Sequence, residues 1–291
     1  MGRSTAKAAT SSGPELRNDT SSPPGSDFVV EAEQMSVAYG ERVVLHDITT
    51  RIPRRLVTCI IGGSGCGKST LLRGVIGLVG IRSGRVRLLG EDLAKFEGDE
   101  RARLLARVGF MFQYGALLNS ISVFENLAIP LKAHTELPAD VIEQIIHSKL
   151  RQVGLGHAAR LLPGELSGGM RKRAGFARAM ILDPEMILCD EPSAGLDPVT
   201  AANLDELLLE LKEQLDTTLV VVTHELASIR VIADRIVMLD GGRIRFDGPL
   251  SEADASSDPV LRAFFDRKED SSGGGATTLL QRLQSPTGAE A

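Results

Sequence analysis

The sequence predicts an α/β protein with a central parallel sheet, an antiparallel β piece near its start and an inserted helical piece. Short apolar runs alternate with stretches of helical spacing, which is typical of parallel strands covered by helices on both faces. By contrast, residues 28–33 and 43–52 favour antiparallel strands, and residues 123–180 show no clear strand pattern. The apolar runs cover residues 57–61, 186–189 and 219–223, and the helices expected after them begin at Lys68, Ala201 and Glu225.

Composition excludes several classes of protein. The chain has 291 residues, 43% of them hydrophobic, which is enough for a sizeable core. A net charge of -5 argues against a general nucleic-acid binder, because such proteins are usually basic, so no nucleic-acid partner is expected. No apolar run approaches the ~18–20 residues that cross a bilayer, and no secretory signal pattern is visible. Three cysteines without C-x-x-C spacing exclude a disulfide framework and a structural zinc site, so we expect a cytoplasmic chain.

The ordered domain is predicted to span residues 28–266. Residues 1–27 are rich in Ser, Thr, Gly and Pro and show no apolar period, which predicts a disordered leader. Residues 267–291 begin with four charged residues and continue into Ser-Ser-Gly-Gly-Gly, which predicts a flexible C-terminal tail.

The inserted helical piece is expected at about residues 114–180. Pro130 is predicted to stop one helix, because proline lacks the N–H donor that a helix interior needs. A second helix is predicted over residues 139–153, and the segment 259–265 near the end of the domain is predicted to be a helix packed on it.

A phosphate-binding loop is the strongest motif. Residues 62–70 match the full pattern G-x-x-x-x-G-K-S/T, with a strand predicted before the loop and a helix after it. The glycines let successive N–H groups turn toward one anion, and the helix N-terminus adds its positive dipole. Lys68 supplies a charge for the β- and γ-phosphates, and the Ser69 hydroxyl suits Mg²⁺. The predicted ATP-binding residues are Gly62, Gly63, Ser64, Gly65, Cys66, Gly67, Lys68, Ser69 and Thr70.

Cys66 has two interpretations. In the first, it is a small residue that the loop tolerates. In the second, its thiol lies near a helix N-terminus, which tends to lower a cysteine pKa. The second interpretation predicts that alkylation blocks nucleotide binding and that ATP protects the thiol.

Two carboxylates, Asp190 and Glu191, follow the apolar run at residues 186–189. A buried strand delivers them to its carboxyl end, where ligands bind in open α/β sheets. Asp190 suits Mg²⁺, and Glu191 suits a general base that activates the attacking water. The alternative is a solvated acidic turn, which the phosphate loop in the same chain makes less favourable.

His224 directly follows the apolar run at residues 219–223. A histidine at that edge of the sheet can contact the γ-phosphate and respond to its loss. A lone histidine is more often structural, so this interpretation depends on the neighbouring motifs. The other histidines show no metal-ligand spacing; they are His46, His134, His147 and His157.

A second Ser/Gly cradle, Leu-Ser-Gly-Gly-Met at residues 166–170, opens a helix. Two such cradles in one chain are unusual, and here the chain resembles the ATPases of ATP-binding cassette (ABC) transporters. The resemblance covers about residues 28–250 and is specific, because all the family's short motifs occur in the family's order. They are Tyr39 (A-loop), residues 62–70 (Walker A), Gln113 (Q-loop), residues 166–170 (signature), Asp190 and Glu191 (Walker B), Asp197 (D-loop) and His224 (switch).

The resemblance implies a fold and a set of catalytic residues. The fold is the P-loop NTPase fold of ABC ATPases: a RecA-like parallel-sheet core, an antiparallel β subdomain and an inserted α-helical subdomain. Tyr39 would stack on adenine. Glu191, His224 and Gln113 would be catalytic, and Ser69, Gln113 and Asp190 would hold Mg²⁺.

The resemblance also implies a dimer. Ser167, Gly168 and Gly169 would bind the γ-phosphate of an ATP held by a second copy of the chain, and Asp197 would tie the two sites together. The working unit would be a head-to-tail homodimer with ATP at its interface, which drives an integral membrane permease. The chain would then lie on the cytoplasmic face of the inner membrane.

The flanks of these motifs resemble one branch of the family, the Mla/Mce-type lipid transport ATPases. Met170 stands where Gln is usual and precedes Arg171-Lys172-Arg173, which we interpret as a solvated helix face. In this branch the substrate is a phospholipid or related lipid. The branch implies two further partners, a lipid-binding Mce-domain protein and a small cytoplasmic regulator.

Residues 112–118 and 123–131 carry the same resemblance. The apolar residues Leu117, Leu118, Val123 and Phe124 are candidates to line the groove that receives the permease, with ordinary packing of the helical piece as the alternative. Two other functions stay open. One is the ATPase of a small-solute or lipoprotein ABC system, and the other is a soluble ABC ATPase, against which the single cassette and the acidic balance argue.

Overall fold

The computed structural model of the protein describes residues 27–113 and 115–266. The predicted C-terminal tail and all but the last residue of the predicted leader lie outside these ranges. The strands are β1 (Phe28–Tyr39), β2 (Arg42–Pro53), β3 (Val57–Gly62), β4 (Ile81–Leu88), β5 (Glu91–Asp92), β6 (Val108–Met111), β7 (Met186–Asp190), β8 (Thr218–Val222), β9 (Arg235–Asp240) and β10 (Arg243–Pro249). The helices are α1 (Lys68–Val75), α2 (Gly98–Ala106), α3 (Val123–His134), α4 (Ala139–Gln152), α5 (Gly168–Ala179), α6 (Pro198–Leu215), α7 (Leu226–Ile232), α8 (Leu250–Ala255) and α9 (Pro259–Phe265).

The central sheet has the strand order β10-β9-β3-β8-β7-β6. All neighbouring pairs are parallel except β9 and β10 at one edge. Every residue of β3, β7 and β8 is buried, as continuous apolar runs predict for strands with helices on both faces. Because these strands are parallel, their carboxyl ends meet at one edge, which carries the loops after Gly62, Asp190 and Val222.

The antiparallel piece is a second sheet with the order β2-β1-β4-β5. Its apolar side chains share a core with α1 and with one face of the central sheet, and this buried cluster includes Met35, Leu45, Leu72 and Ile60. Tyr39 ends β1 at the turn into β2. This packing brings β2 against the phosphate-binding loop.

The segment between β6 and β7 contains helices and no strand within its described part, residues 112–113 and 115–185. The predicted stop at Pro130 is wrong, because α3 continues through Pro130 to His134. Leu127 and Leu131 flank the proline and are buried in the core. Their packing outweighs the backbone bond that the proline removes. In the ranges that the structure describes, no helix has both the length and the apolar composition of a membrane span.

Candidate functional site

The candidate site lies at the carboxyl edge of the central sheet. The loops after β3, β7 and β8 meet there at a cavity of about 1200 Å³. Gly62, Lys68, Glu191 and His224 all line this cavity. The sheet register therefore brings together residues from three motifs that are separate in the sequence.

The phosphate-binding loop needs glycine at two positions. Gly62 has φ 144°, and a Cβ there would lie 2.2 Å from the Leu239 carbonyl oxygen. Gly67 has φ 106°, and its Cβ would lie 2.6 Å from Cδ2 of Leu45. At Gly62 both the conformation and a backbone oxygen exclude a side chain, and at Gly67 the positive φ makes any side chain strained, so the tight turn into α1 favours glycine at both positions.

Lys68 is the first residue of α1, and its ammonium group is held over the loop. Nζ donates to the carbonyl oxygen of Gly62 at 3.0 Å and to that of Gly63 at 2.9 Å. An ammonium group has three donors, so these bonds fix its position and leave one donor for a phosphate oxygen.

Asp190 and Ser69 form a pair of oxygen donors beside the loop. Ser69 Oγ donates to Asp190 Oδ1 at 3.2 Å, and Asp190 is buried at the end of β7. Across residues 27–113 and 115–266, no three His, Cys, Asp or Glu side chains converge into a metal cluster. The pair nevertheless fits Mg²⁺, because this ion typically takes one or two protein oxygens and fills its shell with phosphate oxygens and water.

Glu191 is held by its backbone and by its side chain. It has φ 51°, an uncommon conformation for a residue with a side chain, and its N–H donates to the Val222 carbonyl oxygen at 2.9 Å. A 2.9 Å hydrogen bond joins Oε1 to Nδ1 of His224. Oε2 is buried and has no hydrogen-bond partner among the described residues. The arrangement suits a general base, because one oxygen is fixed while the other is left to accept a proton from water.

Lys172 is a residue of the site that the sequence analysis missed. Its Nζ donates to the backbone carbonyl oxygen of Gln113 and to that of Glu191, the latter at 2.9 Å. The solvated-face interpretation is therefore wrong for Lys172, which is buried in α5. Helical spacing offered a signal, because Lys172 lies four residues before Phe176, a core residue on the same helix face.

Gln113 lies two residues beyond β6, and its side chain is exposed. In the described hydrogen bonds, Gln113 is connected to Glu191 through its backbone carbonyl oxygen, which accepts from Lys172 Nζ, and the same Nζ donates to the Glu191 carbonyl oxygen. Tyr39 ends β1, is 46% exposed and does not line the cavity. Both predicted roles therefore stay predictions.

The signature cradle is well formed but lies outside the cavity. Ser167 caps α5, and its Oγ accepts a hydrogen bond from the Met170 N–H at 3.3 Å. Gly168 and Gly169 follow, and a Cβ on Gly169 would lie 2.6 Å from Cγ2 of Thr200. The Ser/Gly cradle therefore packs closely against the start of α6, and none of its three predicted phosphate-binding residues lines the cavity.

Asp197 caps α6 beside this cradle. Its carboxylate accepts from the N–H of Thr200 at 3.1 Å and from its hydroxyl at 2.6 Å. The hydroxyl bond is the main reason that the pKa of Asp197 is lowered. The aspartate is thus ionised at neutral pH and exposed on the same surface as the signature.

The structure also separates the two interpretations of Cys66. The thiol is half-buried, and burial raises its pKa, while the charge of Lys68 acts in the opposite direction. The interpretation that predicts a lowered pKa is wrong, because loss of solvent outweighs the nearby ammonium. Cys59 and Cys189 are fully buried, and burial raises the pKa of the Cys189 thiol to about 12.

Of the four apolar residues predicted to line a groove for the permease, two belong to the core. Leu117 and Val123 are buried and are unable to line an open groove. Leu118 is 51% exposed. Phe124 is half-buried, with its ring centroid 5.8 Å from that of His147.

Comparison with known proteins agrees with this geometry. Residues 45–194 match the family model described as ABC transporter. The "intermembrane phospholipid transport system ATP-binding protein MlaF" of Escherichia coli K12 is 38% identical over 238 residues, which cover 82% of this chain and 88% of that protein. The "probable ribonucleotide transport ATP-binding protein mkl" of Mycobacterium leprae is 39% identical over 81% of this chain and 68% of that protein. The M. tuberculosis H37Rv relative of the same name is 39% identical, and the chain spans 66% of its length.

Solved structures give the same result. CbiO1 of Clostridium perfringens, part of the ABC transporter complex cbiONQ, matches with a TM-score of 0.73 at 27% identity, over 84% of this chain and 96% of that one. The cassette MJ0796, solved as a dimer in a post-hydrolysis state with ADP and phosphate, matches with a TM-score of 0.70 at 28% identity, over 76% of this chain and 98% of that one. The predicted fold is confirmed, and this chain belongs to the ABC transporter family as one of its ATP-binding, ATP-hydrolysing proteins.

Proposed function

We propose that this chain energises a transporter that moves phospholipids or related lipids between the membranes of a cell envelope. The observation that carries the proposal is the 38% identity to the phospholipid transport ATPase MlaF over 88% of that protein. The Mla/Mce-like features at Met170 and at residues 112–118 support the same assignment.

In the proposed reaction, the loop at residues 62–70 binds the phosphates of ATP and Lys68 neutralises the β- and γ-phosphates. Ser69, Asp190 and Gln113 would hold Mg²⁺, which neutralises charge that develops on the phosphate oxygens. Glu191 takes the proton of the attacking water on Oε2, the buried oxygen that has no partner among the described residues.

His224 positions this base and responds to the γ-phosphate. The Glu191 carboxylate only accepts hydrogen bonds when ionised, so Nδ1 of His224 is the donor in the 2.9 Å bond. The opposite ring nitrogen is then the group that is left to face the phosphate. Tyr39, which is 46% exposed, would stack on the adenine ring.

The proposed working unit is a head-to-tail homodimer. Ser167, Gly168 and Gly169 form a cradle that does not line the cavity beside the chain's own phosphate loop, so they would complete the site of a second copy. Asp197 lies beside that cradle and would connect the two sites. The solved dimer of MJ0796 supports this arrangement.

The proposed membrane partner is a permease on a separate chain, which holds this ATPase at the cytoplasmic face of the inner membrane. An Mce-domain lipid-binding protein and a small cytoplasmic regulator are the further partners in this proposal. Leu118 and Phe124, on the helical subdomain after the Q-loop, are the apolar side chains proposed to contact the permease.

The experiment is affinity capture of the tagged full chain from detergent-solubilised native membranes, with mass spectrometry of proteins and bound lipids. We expect a permease, an Mce-domain protein and phospholipid. Leu118→Asp should lose the permease, whereas Leu137→Asp, at a position that is 37% exposed on the same subdomain, should retain it. Capture of a different permease without lipid contradicts the lipid assignment and leaves the ATPase chemistry intact.

A second candidate substrate is a ribonucleotide, because two matched relatives carry that function in their names at 39% identity. The same capture distinguishes the two candidates. A complex that retains ribonucleotide other than the ATP or ADP of the cassette, and no lipid, favours the second.

A further inference from the structure

We propose that Lys172 is a positioning residue for ATP hydrolysis, whose buried ammonium joins the backbone of Gln113 to the backbone of Glu191. The inference rests on the proposed roles of Glu191 as general base and of Gln113 as a ligand of Mg²⁺. It adds a physical connection between them. Through this connection, one side chain of the signature helix α5 sets the positions of Gln113 and Glu191.

The two bonds account for the burial of Lys172. The residue is only 7% exposed, and an ammonium in such a place is costly unless it is hydrogen-bonded. Its bonds to the carbonyl oxygens of Gln113 and Glu191 supply that compensation. Burial lowers the pKa of Lys172, and the negative charge of Glu191 is the largest effect that opposes this. Bonds from a cation to carbonyl oxygens are stronger than neutral ones, so they hold the backbone firmly.

The bond to Glu191 acts on the proposed base itself. Glu191 has φ 51°, a conformation that persists only where surrounding contacts hold it. Its N–H donates to the Val222 carbonyl oxygen at the end of β8. Its own carbonyl oxygen accepts from Lys172 Nζ at 2.9 Å and from the Ala194 N–H at the longer distance of 3.3 Å. Without the ammonium, the Glu191 carbonyl keeps only the longer bond from Ala194 among those described, so the peptide after Glu191 is held less firmly and the Glu191 carboxylate shifts with it.

The bond to Gln113 acts on the other side of the site. Gln113 opens the connection from β6 to the helical subdomain, and its carbonyl accepts from the same Nζ that Glu191 uses. Lys172 itself lies five residues after Ser167, which is roughly 7.5 Å along the helix axis at about 1.5 Å per residue. A movement of the signature cradle is therefore passed through one side chain to the base and to the proposed metal ligand.

Lys149 provides a matched control. It is equally buried, at 6% exposed, and lies on α4 of the same helical subdomain. Its ammonium pairs with the Asp183 carboxylate and contacts no residue of the candidate site in the hydrogen bonds of the described chain. Replacing either lysine with methionine removes a buried ammonium and keeps an unbranched apolar stem.

The test measures steady-state ATP hydrolysis and ATP binding by the full-length variants Lys172→Met, Lys172→Arg, Lys149→Met and Glu191→Gln. For Lys172→Met we expect kcat to fall about ten- to a hundredfold while KM and ATP affinity stay within about threefold, because a misplaced catalytic group costs rate rather than binding. Lys172→Arg keeps a cation with several donors and should recover most of the loss. Lys149→Met should keep the wild-type kcat even if its melting temperature falls.

A wild-type kcat for Lys172→Met, or an equal loss in Lys149→Met, overturns the inference. If Lys172→Met does not fold, Lys172→Gln is the substitute. Its amide is uncharged and one bond shorter than the ammonium, so it should hold the two carbonyl oxygens less firmly and kcat should still fall. A wild-type kcat for that variant overturns the inference as well. Glu191→Gln distinguishes failure of the proposed general base from failure of the positioning role of Lys172. If it hydrolyses ATP normally, the proposed base is wrong, whereas normal hydrolysis by the Lys172 variants alone removes only the positioning role.

Discussion

Nδ1 of His224 lies 2.9 Å from Oε1 of Glu191, although the two residues follow different strands. The contact exists because β7 and β8 are parallel neighbours in register, with Asp190 opposite Val222. The loops that follow these strands must therefore leave the same edge of the sheet. The pair fixes one oxygen of the carboxylate and leaves the other to act on water.

The Glu191→Gln variant should bind ATP but hydrolyse it at least about a hundredfold more slowly, because an amide does not take the proton of water. The variant should accumulate as an ATP-bound dimer, measured by light scattering with and without ATP. Glu206→Gln is the control, since Glu206 is exposed on the wall of the same cavity. Equal loss in both variants would contradict the assignment.

The Ser167→Arg variant should bind ATP normally and fail to hydrolyse it, because the bulky cation occupies the cradle that faces the second copy. The substitution also removes the cap of α5, which costs about 0.5–2 kcal/mol. Ser122→Arg is the matched control, because Ser122 caps α3 in the same way. Normal hydrolysis by Ser167→Arg would exclude a role for the signature in trans.

The Asp205→Asn variant should be more stable than the wild type at neutral pH. Burial is the main reason that the pKa of Asp205 is raised from 3.8 to about 6. The hydrogen bond with Ser228 lowers this pKa, and the negative charge of Glu225 raises it further. The folded state thus binds the proton more tightly than the unfolded chain. The contribution of Asp205 to the free energy of unfolding therefore falls as pH rises from about 4 to about 6.

Above that pH range, the free energy of unfolding of Asp205→Asn should exceed that of the wild type by on the order of 2 kcal/mol. The difference should disappear below pH ~4. Chemical denaturation at several pH values measures it, with Glu206→Gln as the exposed neighbour on the same helix. A stability difference that does not change with pH would mean that Asp205 titrates normally.

Among the three cysteines, Cys66 should be the one that alkylates in the folded protein, and it should react slowly at pH 7 because burial raises its pKa. Mass spectrometry after timed exposure to N-ethylmaleimide counts the modified thiols. ATP should slow the reaction further, since Cys66 lies within the phosphate loop. Rapid labelling at neutral pH would contradict the assigned environment of the thiol.

The sequence predicts the parts of the fold that are decided locally. The runs that became β3, β7 and β8 are continuously apolar because both faces of each strand are covered, and this pattern is visible in a single sequence. Strand β4 escaped prediction because it holds three charged residues and Gly84, and only Val86 and Leu88 of its side chains are buried. Its place depends on pairing with β1, which local pattern does not reveal.

The site residues also divide into those that a local motif predicts and those that depend on distant contacts. Gly62 and Lys68 were found because phosphate binding requires a fixed spacing within one short motif, and Asp190 because it directly follows a continuous apolar run. Lys172 was missed because its role arises from the carbonyl of Gln113, which is 59 residues away in the sequence. The charges of Lys172 and its two arginine neighbours all suggest an exposed face, and only the spacing of Lys172 from the core residue Phe176 pointed to burial.

The most direct test of the central proposal is ATP-dependent transfer of a fluorescent phospholipid between proteoliposomes that hold the captured complex and acceptor vesicles. We expect transfer that requires ATP and is lost when the complex carries Glu191→Gln. Lipid transfer that is independent of ATP, or ATP-dependent uptake of a ribonucleotide in its place, would contradict the central proposal.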